Sequence, residues 1–225
     1  MKVHVFVEGK SDKVFLDAWI NRAFQDHDFE VHPHQGKGSL PDDITARPDP
    51  LRRGLLDMLP AKLRAYASDP QDNAVLVLVD ADGDNCENII AKLTYVLESL
   101  DPRPNVIFKL AVEETEAFYL GDLRALRAAF PDADMTRARA YVPDSICGTA
   151  ELFGEIVGDP GLHKVTWAEK MGPKMGTTIS SNRSPSFRAL CIGIQELTQP
   201  PIQQPNKKKT KYRHAPRTSP SRRER

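Results

Sequence analysis

The sequence predicts an α/β fold with a mostly parallel sheet, flanking helices and a C-terminal helical extension. The first observation is the unbroken apolar run Val75–Val79, which is typical of a strand covered on both faces. The second is a repeated alternation of strand-like and helix-like segments, which favours a doubly wound parallel sheet. The third is size, because 225 residues with 40% hydrophobic content suit one α/β domain of moderate size.

The predicted elements follow one another along the chain. Strands are predicted at Lys2–Val7, at Phe29–His34, at the central apolar run and at Asn105–Val112. Helical spacing predicts helices between them, over Asp12–Ala23, over Leu51–Tyr66 and directly after Asp84. Within the second of these helices, Pro60 must break or kink the helix or start a new one.

The pattern becomes helical after residue 122. Helices are predicted near Leu123–Phe130, before a Pro/Asp-rich link, and at Thr149–Val157, with a basic helix candidate at His163–Met175. A clean amphipathic helix follows a cap at Asn182–Ser186. We therefore expect an α/β core over residues 1–122, a helical extension packed on it over 123–200, and a disordered basic tail over 201–225.

The net charge of zero hides an asymmetry between body and tail. From Gln204 onward there are nine basic residues and one acid, so the rest of the chain is acidic. Such a tail is too polar to pack. It could bind a phosphate backbone non-specifically or merely keep the protein in solution, and both alternatives stay open. The tail residues proposed to contact nucleic acid are Lys207, Lys208, Lys209, Lys211 and Arg213.

Cysteine usage and the N-terminus indicate the compartment. The three cysteines have no paired spacing, which favours a reducing compartment over a disulfide framework or a zinc site. No basic-then-apolar signal opens the chain, and no stretch approaches the ~20 apolar residues of a membrane span. We expect a cytoplasmic protein without a membrane partner.

Acidic side chains follow three of the four predicted strands. Because the carboxyl ends of parallel strands share one edge of a sheet, these side chains should converge. Carboxylates so close repel one another, and hard oxygen ligands select Mg²⁺ or Mn²⁺, as one or two ions. A single acid at a strand end is usually a cap or turn former, and Asp84 is expected to cap the next helix. The three clusters are Glu8 with Asp12, Asp80 with Asp82 and Asp84, and Glu113 with Glu116.

Two of these clusters resemble the signature motifs of the Toprim fold. Glu8-Gly9 follows strand one, with Asp12 four residues after Glu8, and Asp80-x-Asp82 follows a hydrophobic strand. The resemblance implies that Glu8 acts as general acid/base or metal ligand and that Asp80 and Asp82 hold Mg²⁺. Asp12 is similar to an extra acidic ligand of nucleases of the overcoming-lysogenisation-defect (OLD) type.

A closer resemblance is to small stand-alone Toprim-like bacterial proteins of unknown function. It covers roughly residues 2–198 and includes the segments 111–122, Lys170–Lys174 and 182–187. Such proteins often resemble partners of a separate ABC-type ATPase, as in anti-phage systems. The resemblance therefore implies an ATPase partner and a role in phage or mobile-element defence.

The leading hypothesis is a Mg²⁺-dependent Toprim-type nuclease that cleaves phosphodiester bonds of DNA or RNA. The alternative is a non-catalytic interaction or regulatory subunit of an ATPase complex, in which the acids form a metal-stabilised structural knot. A homo-oligomer is compatible with both. The expected catalytic residues are Glu8, Asp80 and Asp82, and the expected metal ligands are Glu8, Asp12, Asp80, Asp82, Glu113 and Glu116.

Four weaker features have competing interpretations. Lys170 and Lys174 could contact substrate phosphate or could be ordinary surface lysines. The segment 36–38, Gly-Lys-Gly, could contact a phosphate as a Gly-rich loop, but it lacks P-loop spacing, so a plain turn is predicted. His32 and His34 share one face of a strand, but without nearby Cys or His partners no metal site is expected there. Glu113 could be a ligand or could simply favour a helix N-terminus.

Overall fold

A computed structural model of the chain describes residues 1–145 and 148–198. Its sheet has four strands, all parallel, in the order β2-β1-β3-β4. The predicted α/β class with a parallel sheet, flanking helices and a C-terminal helix is confirmed. The strands are β1 (Lys2–Val7), β2 (Asp28–Pro33), β3 (Asn73–Asp80) and β4 (Val106–Ala111).

The two central strands are buried because helices cover both faces of the sheet. Val5 and Leu76 face one hydrophobic cluster, whereas Phe6 and Val77 face the other. Burial on both faces explains why β3 is a continuous apolar run and does not alternate with polar residues. β1 pairs with β3 from Lys2 opposite Asn73 to Phe6 opposite Val77, and β3 continues beyond this pairing to Asp80.

Two helices cover one face and the remaining helices cover the other. α2 and α3 pack on the face that carries Phe6, and the helices α1 and α4 to α9 contribute to the cluster on the opposite face. The helices are α1 (Lys10–Ala23), α2 (Leu55–Tyr66), α3 (Cys86–Glu98), α4 (Glu116–Gly121), α5 (Leu123–Ala129), α6 (Met135–Ala140), α7 (Thr149–Val157), α8 (Lys164–Met171) and α9 (Pro185–Thr198).

Three local predictions were wrong. The link before residue 141 contains the helix α6, because the Asp134 carboxylate caps it by accepting the N–H of Thr136 and of Arg137 at 3.0 Å. The helix predicted over Leu51–Tyr66 begins only at Leu55, and it runs through Pro60 without ending or restarting there. The cap of α3 is Asn85, whose side-chain oxygen accepts the Asn88 N–H at 2.9 Å, and not Asp84.

The C-terminal helices are tied to the core by packing and hydrogen bonds. The Trp19 indole N–H donates to the Gly176 carbonyl at 2.9 Å, and Arg22 donates to the Met175 carbonyl at 2.6 Å. The chain after α8 is thereby joined to α1. The predicted basic tail lies outside the described residues. Within residues 1–145 and 148–198, no helix is long and apolar enough to cross a membrane.

Truncation of a central strand residue should be far more costly than truncation at the surface. Leu76 in β3 is fully buried, whereas Leu51 is 91% exposed. We expect Leu76→Ala to lower the free energy of unfolding by about 2–5 kcal/mol, and Leu51→Ala to change it by less than ~0.5 kcal/mol. Urea denaturation of both variants measures this. Equal losses would contradict the placement of β3 at the centre of the sheet.

Candidate functional site

The carboxyl ends of β1, β3 and β4 are joined by hydrogen bonds that place the acidic residues. The Asp80 N–H donates to Glu8 Oε1 at 2.9 Å, so the side chain that follows β1 is bonded to the last residue of β3. The Asp82 N–H donates to the Glu113 carbonyl at 2.9 Å, which joins the loops after β3 and β4. The structure therefore brings all three predicted clusters to one edge of the sheet.

Asp12 is held from two directions at the start of α1. The carboxylate is buried and accepts the Gly9 N–H at 2.9 Å and the Thr115 hydroxyl at 3.1 Å. Gly9 belongs to the turn after β1 and Thr115 caps α4. Asp12 therefore connects the first predicted cluster with the third.

Glu116 opens α4 and lies deepest in the cluster. It is only 1% exposed, and neither carboxylate oxygen accepts a hydrogen bond from the described residues. The Tyr119 hydroxyl, one turn further along the chain, is also buried without a hydrogen-bond partner among those residues. Lys164 Nζ lies 3.7 Å from Glu116 Oε2 and provides the nearby opposite charge.

Burial and mutual repulsion raise the pKa values of these acids. Burial raises the pKa of Glu8 to about 7, against the opposing hydrogen bond from Asp80. Burial also raises the pKa of Glu116 to about 7, although the charge of Lys164 opposes the shift. The pKa of Asp80 is raised well above its ordinary value by burial first and then by the charges of Asp12, Glu8 and Glu116. Full ionisation of the cluster would therefore place more negative charge at this edge than the surrounding residues neutralise.

Two lysines that the sequence patterns did not assign to the acid clusters contact the acids. Lys37 Nζ donates to Asp84 Oδ2 at 2.8 Å and to Asp82 Oδ2 at 3.1 Å. Lys164 Nζ donates to Glu114 Oε1 at 2.6 Å. The segment 36–38 is therefore more than the plain turn predicted from its spacing. Its position after β2, at the same edge as the acids, is the signal that could have identified Lys37.

Glu113 lies in the loop before α4, not in the first helical turn. Its backbone is left-handed, with φ of 70°, and its buried carboxylate accepts the Thr149 hydroxyl of α7. Asp82 is also left-handed, with φ of 50°. Non-glycine residues with such φ values are uncommon and are enriched at functional sites. Whether Glu113 binds a metal stays a prediction.

The two lysines proposed for phosphate contact lie on or after α8. Lys170 is exposed, with Nζ 4.9 Å from the centroid of the Phe130 ring, and Lys174 is exposed beyond the helix end. Lys170 lies six residues after Lys164, or roughly 9 Å along the helix axis. In the described structure it is Lys164 that reaches the acids. Phosphate contact by Lys170 and Lys174 stays a prediction.

A comparison with protein families matches the whole of this edge. A family model described as a domain of unknown function, DUF4276, matches residues 7–195. The chain belongs to the DUF4276 family. No curated protein and no solved structure matches it. The matched range contains Glu8, Asp80, Glu116 and both contacting lysines, so this edge lies wholly inside the DUF4276 domain.

The donor atoms of the DUF4276 acid cluster suit a small hard cation with few protein ligands. Within the part of the chain that the structure describes, only His4, Glu30 and His32 bring three possible ligand atoms within 4.8 Å of one another. The acids at the carboxyl edge are more widely spaced. Mg²⁺ fits such spacing, because it commonly takes one or two carboxylates and keeps several waters. The unbonded carboxylate of Glu116 and the mutual repulsion at Asp80 are the observations that favour a cation.

The stability of the metal-free protein should fall as pH rises. Below pH 4.5 the Glu116 carboxyl is protonated in the folded and in the unfolded protein. Between pH 4.5 and about 7 it ionises only in the unfolded protein. Stability is therefore lost across this window and does not fall further above it. We expect Glu116→Gln to raise the free energy of unfolding by about 1–3 kcal/mol at pH 8 and to change it little at pH 4.

Urea denaturation in the presence of a chelator measures this difference at the two pH values. Glu98→Gln is the matched control, because Glu98 is exposed at the end of α3 and should show no such pH-dependent gain. A Glu116→Gln protein less stable than the parent at pH 8 would contradict the proposed charge imbalance.

Proposed function

We propose that the protein is a Mg²⁺-dependent nuclease that hydrolyses phosphodiester bonds of nucleic acid. The observation that carries the proposal is the convergence of buried carboxylates from three strand ends, joined by the Asp80 N–H bond to Glu8. Carboxylates that repel one another at a partly open sheet edge are suited to a divalent cation. The resemblance to the Toprim signature motifs supports the same proposal.

Asp80, Asp82 and Glu8 are the residues proposed to hold the cation, with Asp12 and Glu116 behind them. When bound, Mg²⁺ would activate water and stabilise negative charge on phosphate oxygens. Asp12 is buried and already accepts two hydrogen bonds, so it suits the role of orienting the cluster. Glu116 provides a second buried negative charge opposite Lys164.

Glu8 is the proposed proton-transfer group. In the metal-free protein burial brings its pKa to about 7, a value that suits general acid–base catalysis, and a bound cation would lower this pKa. The Asp80 N–H holds Glu8 Oε1, which fixes the orientation of the carboxylate and leaves Oε2 to take the proton. The resemblance to Toprim proteins assigns the matching glutamate the same role.

The lysines provide positive charge where phosphate oxygens would lie. Lys37 Nζ contacts Asp82 and Asp84 through short ion pairs. An incoming phosphate would compete with Asp84, whose carboxylate is largely exposed. Lys37 can therefore leave the Asp84 carboxylate and bind a phosphate oxygen of the substrate with little loss of free energy.

A basic groove lies beside Glu8. It has a volume of about 820 Å³, and four cationic side chains line it together with one acid, Asp49. Gln35 lines the groove, and the N–H of the next residue, Gly36, donates to the Glu8 carbonyl at 2.9 Å, so the groove lies near the turn that follows β1. Phosphates of a bound strand would be attracted there. The four cationic residues are Lys10, Arg52, Arg53 and Lys62.

Cleavage should depend on Asp80. Purified protein is incubated with supercoiled plasmid, single-stranded DNA and RNA, with Mg²⁺ or Mn²⁺. We expect cleavage that Asp80→Asn lowers at least about 100-fold. The loss should not reflect unfolding, because the neutral amide relieves the repulsion at Asp80. Asp26→Asn, at an exposed turn, is the matched control and should keep parental activity.

Full cleavage by Asp80→Asn would disprove the proposed site. Absence of cleavage by the parent, alone and with a copurified ATPase, would instead support the non-catalytic subunit. The separate ABC-type ATPase, the defence role and the cytoplasmic location come from the resemblance and are part of this proposal. Affinity purification from a bacterial host tests the partner.

The basic groove should contribute to nucleic-acid binding. We expect the double variant Lys10→Ala/Arg53→Ala to weaken binding of a labelled duplex about 10-fold and to lower the salt dependence of log K by about 1–2. The control Arg124→Ala/Arg127→Ala removes the same charge from exposed positions on α5. Fluorescence anisotropy without divalent ions measures both. Equal weakening by the two variants would show that the groove has no special role.

A further inference from the structure

A second group of possible metal ligands lies on β1 and β2, away from the carboxyl edge. The parallel register places His4 opposite Glu30 and Phe6 opposite His32, so the side chains of His4, Glu30 and His32 share one face of the sheet. His4 precedes Glu8 by four residues, which places it roughly 13 Å back along the strand. This group is therefore separate from the acid cluster.

The donor atoms of the three side chains converge on one point. His4 Nδ1 lies 3.0 Å from His32 Nε2, and Glu30 Oε2 lies 3.8 Å and 3.9 Å from these two nitrogens. Ligands at the corners of a tetrahedron around Zn²⁺, with bonds of 2.0–2.1 Å, lie about 3.3 Å apart. Small side-chain rotations would bring the three donors to that spacing.

Hydrogen bonds fix the protonation of His4. The Asn73 amide nitrogen donates to the Asp69 carbonyl at 3.3 Å, which turns its oxygen toward His4. That oxygen lies 3.1 Å from His4 Nε2, so Nε2 carries the proton. Nδ1 of His4 is then left with a lone pair that accepts the His32 Nε2–H at 3.0 Å, and binding of an ion by both nitrogens would release this proton from Nε2. Metal-binding histidines are commonly oriented in this way by a partner on the second ring nitrogen.

Tyr66 of α2 covers the group. Its hydroxyl lies 3.2 Å from His4 Nδ1, and its ring centroid lies 4.3 Å from that of His4. His4 is 7% exposed, so its ring is held in place by packing. The hydroxyl is therefore close enough to His4 Nδ1 for both to bind one ion. Possible ligand atoms thus come from β1 (His4), from β2 (Glu30 and His32) and from α2 (Tyr66).

We propose that His4, His32 and Glu30 bind a first-row transition ion, most simply Zn²⁺, with the Tyr66 hydroxyl at the fourth position. Two imidazoles and one carboxylate suit Zn²⁺ and related ions and do not suit Mg²⁺. Lys2 Nζ, 2.6 Å from Glu30 Oε2, is the group that the ion displaces. Both members of that pair are largely exposed, so their separation costs little.

The ion would clamp the edge strand β2 to β1 and to the end of α2. β2 is bonded to the sheet along one side only, and its carboxyl end leads into the loop that carries Lys37. No metal site is expected at His32 from the sequence, because no Cys or His partner for it and His34 lies nearby along the chain. Strand pairing instead brings His4, 28 residues away, into contact.

Zn²⁺ binding to the full chain, prepared free of metal, tests the proposal by titration calorimetry. We expect one Zn²⁺ per chain, with a Kd that rises at least about 100-fold in His32→Gln and about 10-fold in Glu30→Gln. His163→Gln is the control, since His163 is exposed on the far side of the sheet at the start of α8. Excess Mg²⁺ should not displace the ion.

Co²⁺ provides a second measurement, because tetrahedral Co²⁺ absorbs more strongly than the aqueous ion. We expect the absorption in the parent and in Asp80→Asn, and its loss in His32→Gln. Circular dichroism verifies that the variants are folded. Substitution of His32 or Glu30 should not unfold the protein, because both side chains are partly exposed. Unchanged Zn²⁺ affinity in His32→Gln and Glu30→Gln, or binding abolished by Asp80→Asn, would overturn the proposal.

Discussion

The parallel pairing of β1 with β3 is the constraint on which the candidate site depends. Because the two strands run side by side in this register, Glu8, the first residue after β1, lies close enough to the end of β3 for its side chain to reach Asp80. The bond from the Asp80 N–H to Glu8 Oε1 results directly from that register. A shift of one residue would turn the alternating side chains to the opposite faces of the sheet and would separate these two acids.

The carboxylates remain close together because charge from distant segments partly compensates them. Lys164 is 50 residues from Glu114 along the chain, and Lys37 is 45 residues from Asp82. Removal of a buried carboxylate from water is costly unless it is paired or hydrogen-bonded. At this edge the pairing is incomplete, as the unbonded Glu116 and Tyr119 oxygens indicate. Incomplete pairing of this kind is common where a protein binds a ligand.

The fold, the positions of the acids and the edge at which Lys37 lies could be predicted from local patterns, whereas the contacts that the two lysines make with the acids could not. Lys2–Val7 and Thr149–Val157 were predicted with the observed bounds, because each has a clear periodicity and clear flanking signals. Neighbouring Asp84 and Asn85 are about equally good helix caps, so propensity could not select the observed one. Lys37 and Lys164 contact the acids only after distant segments have packed, and no sequence period records such packing.

The contact of α8 with the acid edge also bears on how such a chain can be altered. Lys164 lies outside the α/β core predicted from sequence, yet it is the cation beside the buried Glu116. Shortening the chain to its sheet and first helices would remove that cation and leave the carboxylate behind. The sheet and the helices after it are therefore not interchangeable modules. A chimera that takes either part from another protein would have to keep a positive charge at Lys164 beside the carboxylate of Glu116.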